Sequence, residues 1–378
     1  MHIREVKIVN FRNYSELKLE FSKNYNFIYG NNAQGKTNII EALFLCSSGK
    51  SYRANRDEEL IKFNENSYYI KLLVECKETE KIIEVAYNVG ERKKIKINSV
   101  PIKKSGELMG QITEVLFSPE HISIVKEGPQ ERRRFIDIAI SQLKPAYYYD
   151  LQQYSKLLTQ KNHLLRDLKN SKKRNMRLWD TLEIWNDKLA ETGTRIMMER
   201  EKYLYQLDKI ANEIHIKLTG GAEKMRLKYK PSLRIDDINH NNHNEIKQLF
   251  IENVRRDEEK EIFAGITLWG PQRDDVEIEI NGRNLRIYGS QGQQRTGVIT
   301  LKFSELEILK ELANEEPVFL LDDIFSELDK RRQDYIIDML NNTQTFITNT
   351  RKIIFDNIHN VQSNLNYYYV ENGKVIME

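Results

Sequence analysis

A lysine, a threonine and two adjacent aspartates stand in settings that suit phosphate chemistry. The segment Gly30–Thr37, GNNAQGKT, has the form GxxxxGKT, set after an apolar strand-like run (Tyr25–Tyr29) and before a helix-like run (Asn38–Cys46). Gly30 and Gly35 let such a loop curl, so that successive N–H groups from Asn31, Asn32, Ala33 and Gln34 onward converge on an anion at a helix N-terminus. Lys36 supplies a mobile positive charge for the β- and γ-phosphates of a nucleotide, and Thr37 a hydroxyl for Mg²⁺. Far along the chain, Val318–Leu321 is a continuous apolar run of the kind a buried parallel strand shows, and it ends abruptly in Asp322-Asp323. Carboxylates at that position call for a cationic or hydrogen-bonding partner. Asp322 suits a phosphate-bound metal, and Asp323 suits orienting or deprotonating an attacking water. Read in isolation, the same pair also suits a helix N-cap.

A second glycine-containing turn, YGSQGQQRT from Tyr288 to Thr296, precedes a helix-like run from Gln293 to Asn314. Gly289, Ser290 and Gly292 thus open a second anion-seeking helix start, this one without lysine or metal ligand.

The order of these blocks resembles the ATP-binding-cassette ATPases: a Walker A loop, an SQGQ-type signature, a Walker B strand and the SELD segment directly after it. NFRNY (Asn10–Tyr14), GPQRDD (Gly270–Asp275), YGSQGQQRT and LLDDIFSELD together resemble the RecF family, bacterial DNA-repair ATPases related to the heads of SMC-type proteins. The resemblance runs from end to end, with the middle of the chain matching only in character. It implies an α/β fold: an ABC-type ATPase head with a β-rich nucleotide-binding lobe (residues 1–125 and 310–378) and a helical second lobe carrying the signature (126–309). It implies ATP and Mg²⁺ as cofactors, with Gly30 to Thr37 on the phosphates, Thr37 and Asp322 on the metal, and Asp323 and Lys36 as the catalytic pair. In such a family the signature of one subunit closes on ATP held by another, so Ser290 and Gly292 would meet the γ-phosphate in trans and Gln293 would brace the turn. An ATP-dependent homodimer follows.

The same resemblance implies a DNA clamp in recombinational repair, replication restart and the SOS response. It would act on single-stranded, duplex and gapped DNA, with RecR and RecO as partners in loading the recombinase. The implied activity is a weak, DNA-stimulated ATPase, neither nuclease nor helicase; a nonenzymatic scaffold holding ATP structurally is the alternative. Departures bear on the mechanism. Asp323 stands where cassette ATPases usually place Glu, and the run Gln344–Thr350, QTFITNT, has no His where cassette transporters carry one. Thr348 is a candidate substitute there. Leu116–Glu120 is the best candidate for the switch segment between the lobes but contains no Gln. Arg12 is expected either near the nucleotide or in a structural salt bridge.

Composition bounds these readings. The chain of 378 residues, 40% apolar and 30% charged, exceeds one hydrophobic core, which favours two lobes. With 59 basic and 56 acidic residues the net charge is only +3, so nucleic-acid contacts must come from local clusters and fall mainly on phosphate. The basic run Lys169–Arg177, KNSKKRNMR, is one such cluster, and it reads equally as a solvated connection between helices. Cys46 and Cys76 lack metal spacing and read as small buried hydrophobes in a reducing compartment. No apolar leader or membrane-length run is present, and the expected location is cytoplasmic with no membrane partner.

The elements that must position the chemistry are legible in outline. Ile3–Val115 reads as short strands and hairpins, including Ile82–Tyr87 turning through Asn88-Val89-Gly90 into Lys94–Ile97. From Gln130 the period is helical, and Leu178, Leu182, Trp185, Leu189, Ile196, Tyr203, Leu207, Ile210 and Ile214 predict one long amphipathic helix. His240 and His243, in an Asn/His-rich loop, lack acidic or sulfur ligands at metal spacing. Val276–Ile280 and Arg283–Ile287 predict a hairpin around Asn281-Gly282, leading into the signature.

Overall fold

The computed structural model describes residues 1–170, 176–233, 242–325, 330–340, 343–352 and 365–378. The chain divides into two compact units, residues 1–121 with 301–378, and residues 122–300.

The first unit begins with β1 (His2–Phe11) and β2 (Tyr14–Glu20), then β3 (Tyr25–Tyr29) and helix α1 (Lys36–Ser48). It continues through β4 (Ser67–Glu75), β5 (Glu80–Asn88), β6 (Lys94–Ile97), β7 (Val100–Pro101) and β8 (Glu114–Phe117). Strands β2-β1-β4-β5-β6-β7 form an antiparallel sheet, including the β5–β6 hairpin expected from the sequence. Its inward positions are apolar and fully buried and alternate with half-buried ones, as Tyr68, Ile70, Leu72 and Val74 do along β4. Helix α1 is buried nearly all round, through Ile39, Ile40, Leu43 and Leu45, and packs with this sheet into one core. An apolar surface on every side leaves a helix no face to give to solvent.

The second unit is chiefly helical. A short turn α2 (Ser123–Lys126) leads to α3 (Pro129–Leu143), α4 (Pro145–Asn170) and α5 (Met176–Thr219). Helix α5, 44 residues long, buries Leu182, Leu189, Ile196, Tyr203, Leu207 and Ile214, the stripe expected from the sequence. Strand β9 (Met225–Lys230), helices α6 (His243–Arg256) and α7 (Glu258–Ala264), and strands β10 (Asp275–Ile280) and β11 (Arg283–Asn284) follow. Strands β11-β10-β9 form a small antiparallel sheet. The strand expected over Arg283–Ile287 stops after two residues, because Leu285–Tyr288 form a helical turn, α8. The Asn284 side chain accepts from the N–H groups of Arg286 and Ile287 at 3.1 and 3.2 Å, and this local cap outcompetes the strand ladder. Asn239–Asn241 and the basic residues Lys172, Lys173 and Arg174 lie outside the described residues.

GPQRDD forms a buried joint within this unit. Arg132 from α3 grips Asp275 through two hydrogen bonds of 2.7 and 3.1 Å, and Arg133 donates to the Asp274 carbonyl at 2.6 Å. Arg200 from α5 donates to the Pro271 carbonyl at 2.6 Å and to Asp137 at 2.9 Å. Charged groups at such depth persist because each is paired and hydrogen-bonded.

Helix α9 (Gln291–Leu312) leads back into the first unit, followed by β12 (Val318–Leu321), α10 (Lys330–Met339), β13 (Thr345–Asn349), β14 (Leu365–Glu371) and β15 (Lys374–Met377). The second sheet of that unit has the order β15-β14-β3-β13-β12-β8. Strands β14, β3, β13, β12 and β8 run parallel, with β15 antiparallel at the edge. Strands β3, β13 and β12 are neighbours, so their carboxyl ends bring three connecting loops side by side. Open parallel sheets place ligands at such a rim.

Candidate nucleotide site

Strand β3 ends in the loop Gly30–Thr37, whose geometry depends on two glycines. Gly30 has φ 149° and Gly35 φ 118°, and Gly35 caps the N-terminus of α1. A Cβ on Gly35 would lie 2.5 Å from Asn13 Nδ2 and 2.8 Å from the Tyr14 hydroxyl. Those side chains belong to NFRNY and hold the loop from behind. Asn13 Nδ2 donates to the Gln34 carbonyl at 2.8 Å, and the Tyr14 hydroxyl to the Gly35 carbonyl at 3.1 Å. The Gln34 side chain in turn accepts from the Asn372 N–H at 2.6 Å. Asn31, Asn32 and Ala33 face solvent at the crown of the loop.

Lys36 folds back into the loop, and its Nζ donates to the carbonyls of Gly30 and Asn31, both at 2.8 Å. Its side chain is 6% exposed. Burial pulls the ammonium below its ordinary pKa, while the carboxylates of Asp323 and Asp322 pull it up again. The positive charge is therefore held where an anion in the loop would meet it.

Strand β12 carries Asp322 to the same rim. Its carboxylate accepts three hydroxyls: Thr37 at 2.9 Å and Thr348 at 2.8 Å on Oδ1, and Tyr52 at 2.9 Å on Oδ2. Burial pushes its pKa up, the three hydroxyls push it down, and the charge of Glu120 adds to the rise. Asp323 has φ 53°, and its N–H donates to Thr348 Oγ1 at 2.9 Å. The set fits Mg²⁺: a hydroxyl and a carboxylate oxygen converge beside a phosphate-type loop, in a pocket already polarised by a lysine. Thr37 and Asp322, expected as metal ligands from positions 285 residues apart in sequence, thus lie in direct contact.

Tyr52 was not anticipated. It follows α1 in an irregular segment with no periodicity, and burial, with Asp322 beside it, drives its hydroxyl pKa up. Thr348, a candidate phosphate contact from the sequence, has its hydroxyl on Asp322. Arg12 makes the salt bridge that was one of its two expectations. Its guanidinium grips Glu41 of α1 through bonds of 2.8 and 2.7 Å, and that carboxylate is fully buried. Residues 326–329, the SELD segment, lie outside the described residues.

Ser290, Gly292 and Gln293 belong to the second unit. The Ser290 N–H donates to Gln293 Oε1 at 2.9 Å, and the Gln293 N–H to Ser290 Oγ at 3.2 Å. This reciprocal pair is a capping box. Ser290 and Gly292 are exposed, and space is open around Gly292.

A parallel sheet ending in a Walker-type loop and an acidic strand terminus, with a helical unit bearing a capped signature turn, defines an ABC-type ATPase head of the SMC kind. The family model for the RecF/RecN/SMC N-terminal domain matches residues 2–375. The chain is 50% identical to the DNA replication and repair protein RecF of Acetivibrio thermocellus over 99% of both chains. It is 44% identical to that of Ruminiclostridium cellulolyticum, again over 99% of both. A solved structure of the recombination mediator protein RecF with ATP, of the RecFOR pathway, superposes with a TM-score of 0.90 at 38% identity, covering 100% of this chain and 97% of that one. The chain belongs to the RecF family. Among the described residues no helix is long and apolar enough to cross a membrane.

Proposed function

We propose that this chain is an ATP-driven dimeric clamp on DNA, acting in gap repair and replication restart together with RecR and RecO. The observation that carries the nucleotide part is the contact of Thr37 with Asp322 beside the Lys36 loop. The family relation and the ATP-bound RecF structure support the DNA-repair part.

In this reading Gly30 to Thr37 wrap the phosphates with backbone N–H groups, and Lys36 exchanges its two loop carbonyls for phosphate oxygens. Mg²⁺, held by Thr37 and Asp322, would offset the phosphate charge. Asp323 holds and orients the attacking water, and Thr348, which meets both aspartates, fixes their relative placement. Ser290 and Gly292 reach the γ-phosphate bound by a second copy, so ATP adds contacts only in the closed dimer and hydrolysis withdraws them. DNA is held mainly through its backbone, with binding that weakens steeply as salt rises.

The test mixes two variants. Lys36→Ala and Ser290→Ala each damage both sites of a homodimer, whereas a heterodimer gathers both lesions in one shared site and leaves the other intact. The expected result is recovery of ATP-dependent dimerisation and phosphate release in the mixture. No recovery in a sample shown by tagging to contain heterodimers, with nucleotide bound no better than in the homodimers, overturns the shared site.

A further inference from the structure

Gln293 does more than cap its own turn. While its Oε1 accepts from the Ser290 N–H at 2.9 Å, its Nε2 donates to Glu223 Oε1 at 2.8 Å. Glu223 lies in the turn between α5 and β9, within the same unit. Its other oxygen, Oε2, is 3.1 Å from Nε2 of His215, a fully buried residue in the last turns of α5. The opposite ring nitrogen, Nδ1, is 2.8 Å from Thr300 Oγ1, back on the signature helix α9. The Thr300 hydroxyl also lies 2.9 Å from the Thr296 carbonyl, one turn back on the same helix. A carboxylate only accepts. The order at Glu223 therefore has one direction: its carboxylate accepts from His215 Nε2 and from Gln293 Nε2.

This arrangement gives a reason for an amide at position 293. A glutamate is the other usual partner in a capping box and would accept from Ser290 equally well. It would also set two carboxylates against each other at Glu223. Only an amide can accept from the turn and donate onward.

We infer that Glu223, backed by His215, is a positioning residue for the signature turn: it orients the Gln293 amide, which in turn fixes Ser290. This rests on the proposed role of Ser290 toward nucleotide held by a second copy. Neither Glu223 nor His215 touches that nucleotide; both act through Gln293. The device ties the end of the long α5 helix to the signature at two points, Gln293 and Thr300.

The donor and acceptor order makes the inference testable by exchange. In Glu223→Gln the new amide satisfies His215 through its oxygen and turns its NH₂ toward the Gln293 NH₂, so Gln293 must flip and release Ser290. In Gln293→Glu two carboxylates face each other. In the double variant Glu223→Gln/Gln293→Glu every donor again meets an acceptor. The expected result is that each single variant raises the protein concentration for half-maximal ATP-dependent dimerisation about tenfold, equivalent to about 1.4 kcal/mol. The turnover number should fall while monomer ATP affinity and melting temperature stay unchanged, and the double variant should recover to within about threefold, or roughly 0.7 kcal/mol. Single variants that dimerise like wild type, a double variant no better than the singles, or singles that lose melting temperature and ATP affinity together overturn the inference. Ser290→Ala, run alongside, separates the two levels. If it leaves dimerisation intact, the proposed function falls and this inference with it. If it impairs dimerisation while Glu223→Gln does not, only this inference falls.

Discussion

Gly35→Ala probes the phosphate loop with a single methyl group. Gly35 sits at φ 118°, which an L-residue occupies at a cost of about 1–3 kcal/mol. The new Cβ would press on Asn13 Nδ2 at 2.5 Å and on the Tyr14 hydroxyl at 2.8 Å, far inside van der Waals contact. Tyr14 is fully buried and cannot retreat, so the loop must move. Movement sacrifices the bonds from Asn13 to the Gln34 carbonyl and from Tyr14 to the Gly35 carbonyl, each worth about 1 kcal/mol. Gly90→Ala supplies the control: its φ is also positive, at 81°, but no atom lies within 4 Å of the added carbon. Both variants carry a positive-φ cost, and only Gly35→Ala adds the overlap and the lost bonds, a gap of roughly 2 kcal/mol or more. Calorimetric ATP titration should show at least about thirtyfold weaker binding for Gly35→Ala, the equivalent of about 2 kcal/mol, and none for Gly90→Ala. Thermal melts should rank Gly35→Ala lower. Equal ATP affinity in the two variants would refute the claim that Asn13 and Tyr14 set the loop.

Asp323→Asn should bind ATP normally and release phosphate more slowly, so that the ATP-bound dimer outlives that of wild type; asparagine tolerates the φ of 53°, which keeps the backbone in place. Normal turnover in single-cycle kinetics would move the water-orienting role elsewhere. Glu114, buried on β8, has its pKa pushed up to about 8 from 4.5 by desolvation, with the Ser47 hydroxyl and Lys302 opposing. Its folded value exceeds its unfolded one, so the native state gains most below pH 4.5 and loses that gain as pH rises to about 8, a span of roughly 5 kcal/mol. Melts of Glu114→Gln at pH 6 and 9 should lack most of the alkaline loss of wild type; parallel declines count against it. Arg12→Ala leaves the fully buried carboxylate of Glu41 with the Ser51 hydroxyl and Arg53 at 3.9 Å, and should cost about 1.5–3 kcal/mol in denaturant unfolding, whereas an unchanged midpoint would make the pair dispensable. Replacing Lys172, Lys173 and Arg174 with Glu should weaken DNA binding and flatten its salt dependence; an unchanged slope identifies the run as a solvated connection.

The sequence by itself determined the local features. GxxxxGKT at a strand-to-helix junction, the apolar run ending in Asp322-Asp323, and the long stripe from Leu178 to Ile214 each follow from the period or chemistry of neighbouring residues. Such patterns are legible because strand and helix geometry repeats over a few residues. The turn at Asn284 departs from its strand-like pattern for a related reason: one side chain capping two N–H groups outweighs the ladder. What only the tertiary structure decided are the contacts made where the sheet gathers distant strand ends. It set Tyr52 and Thr348 on Asp322, paired Arg12 with Glu41, and showed GPQRDD to be a joint held by Arg132, Arg133 and Arg200. It also joined His215 and Glu223 to the signature. Each of these is a hydrogen bond made by a single side chain that packing brings to a distant partner, and a pairing of that kind leaves no periodicity in the chain from which it could be read.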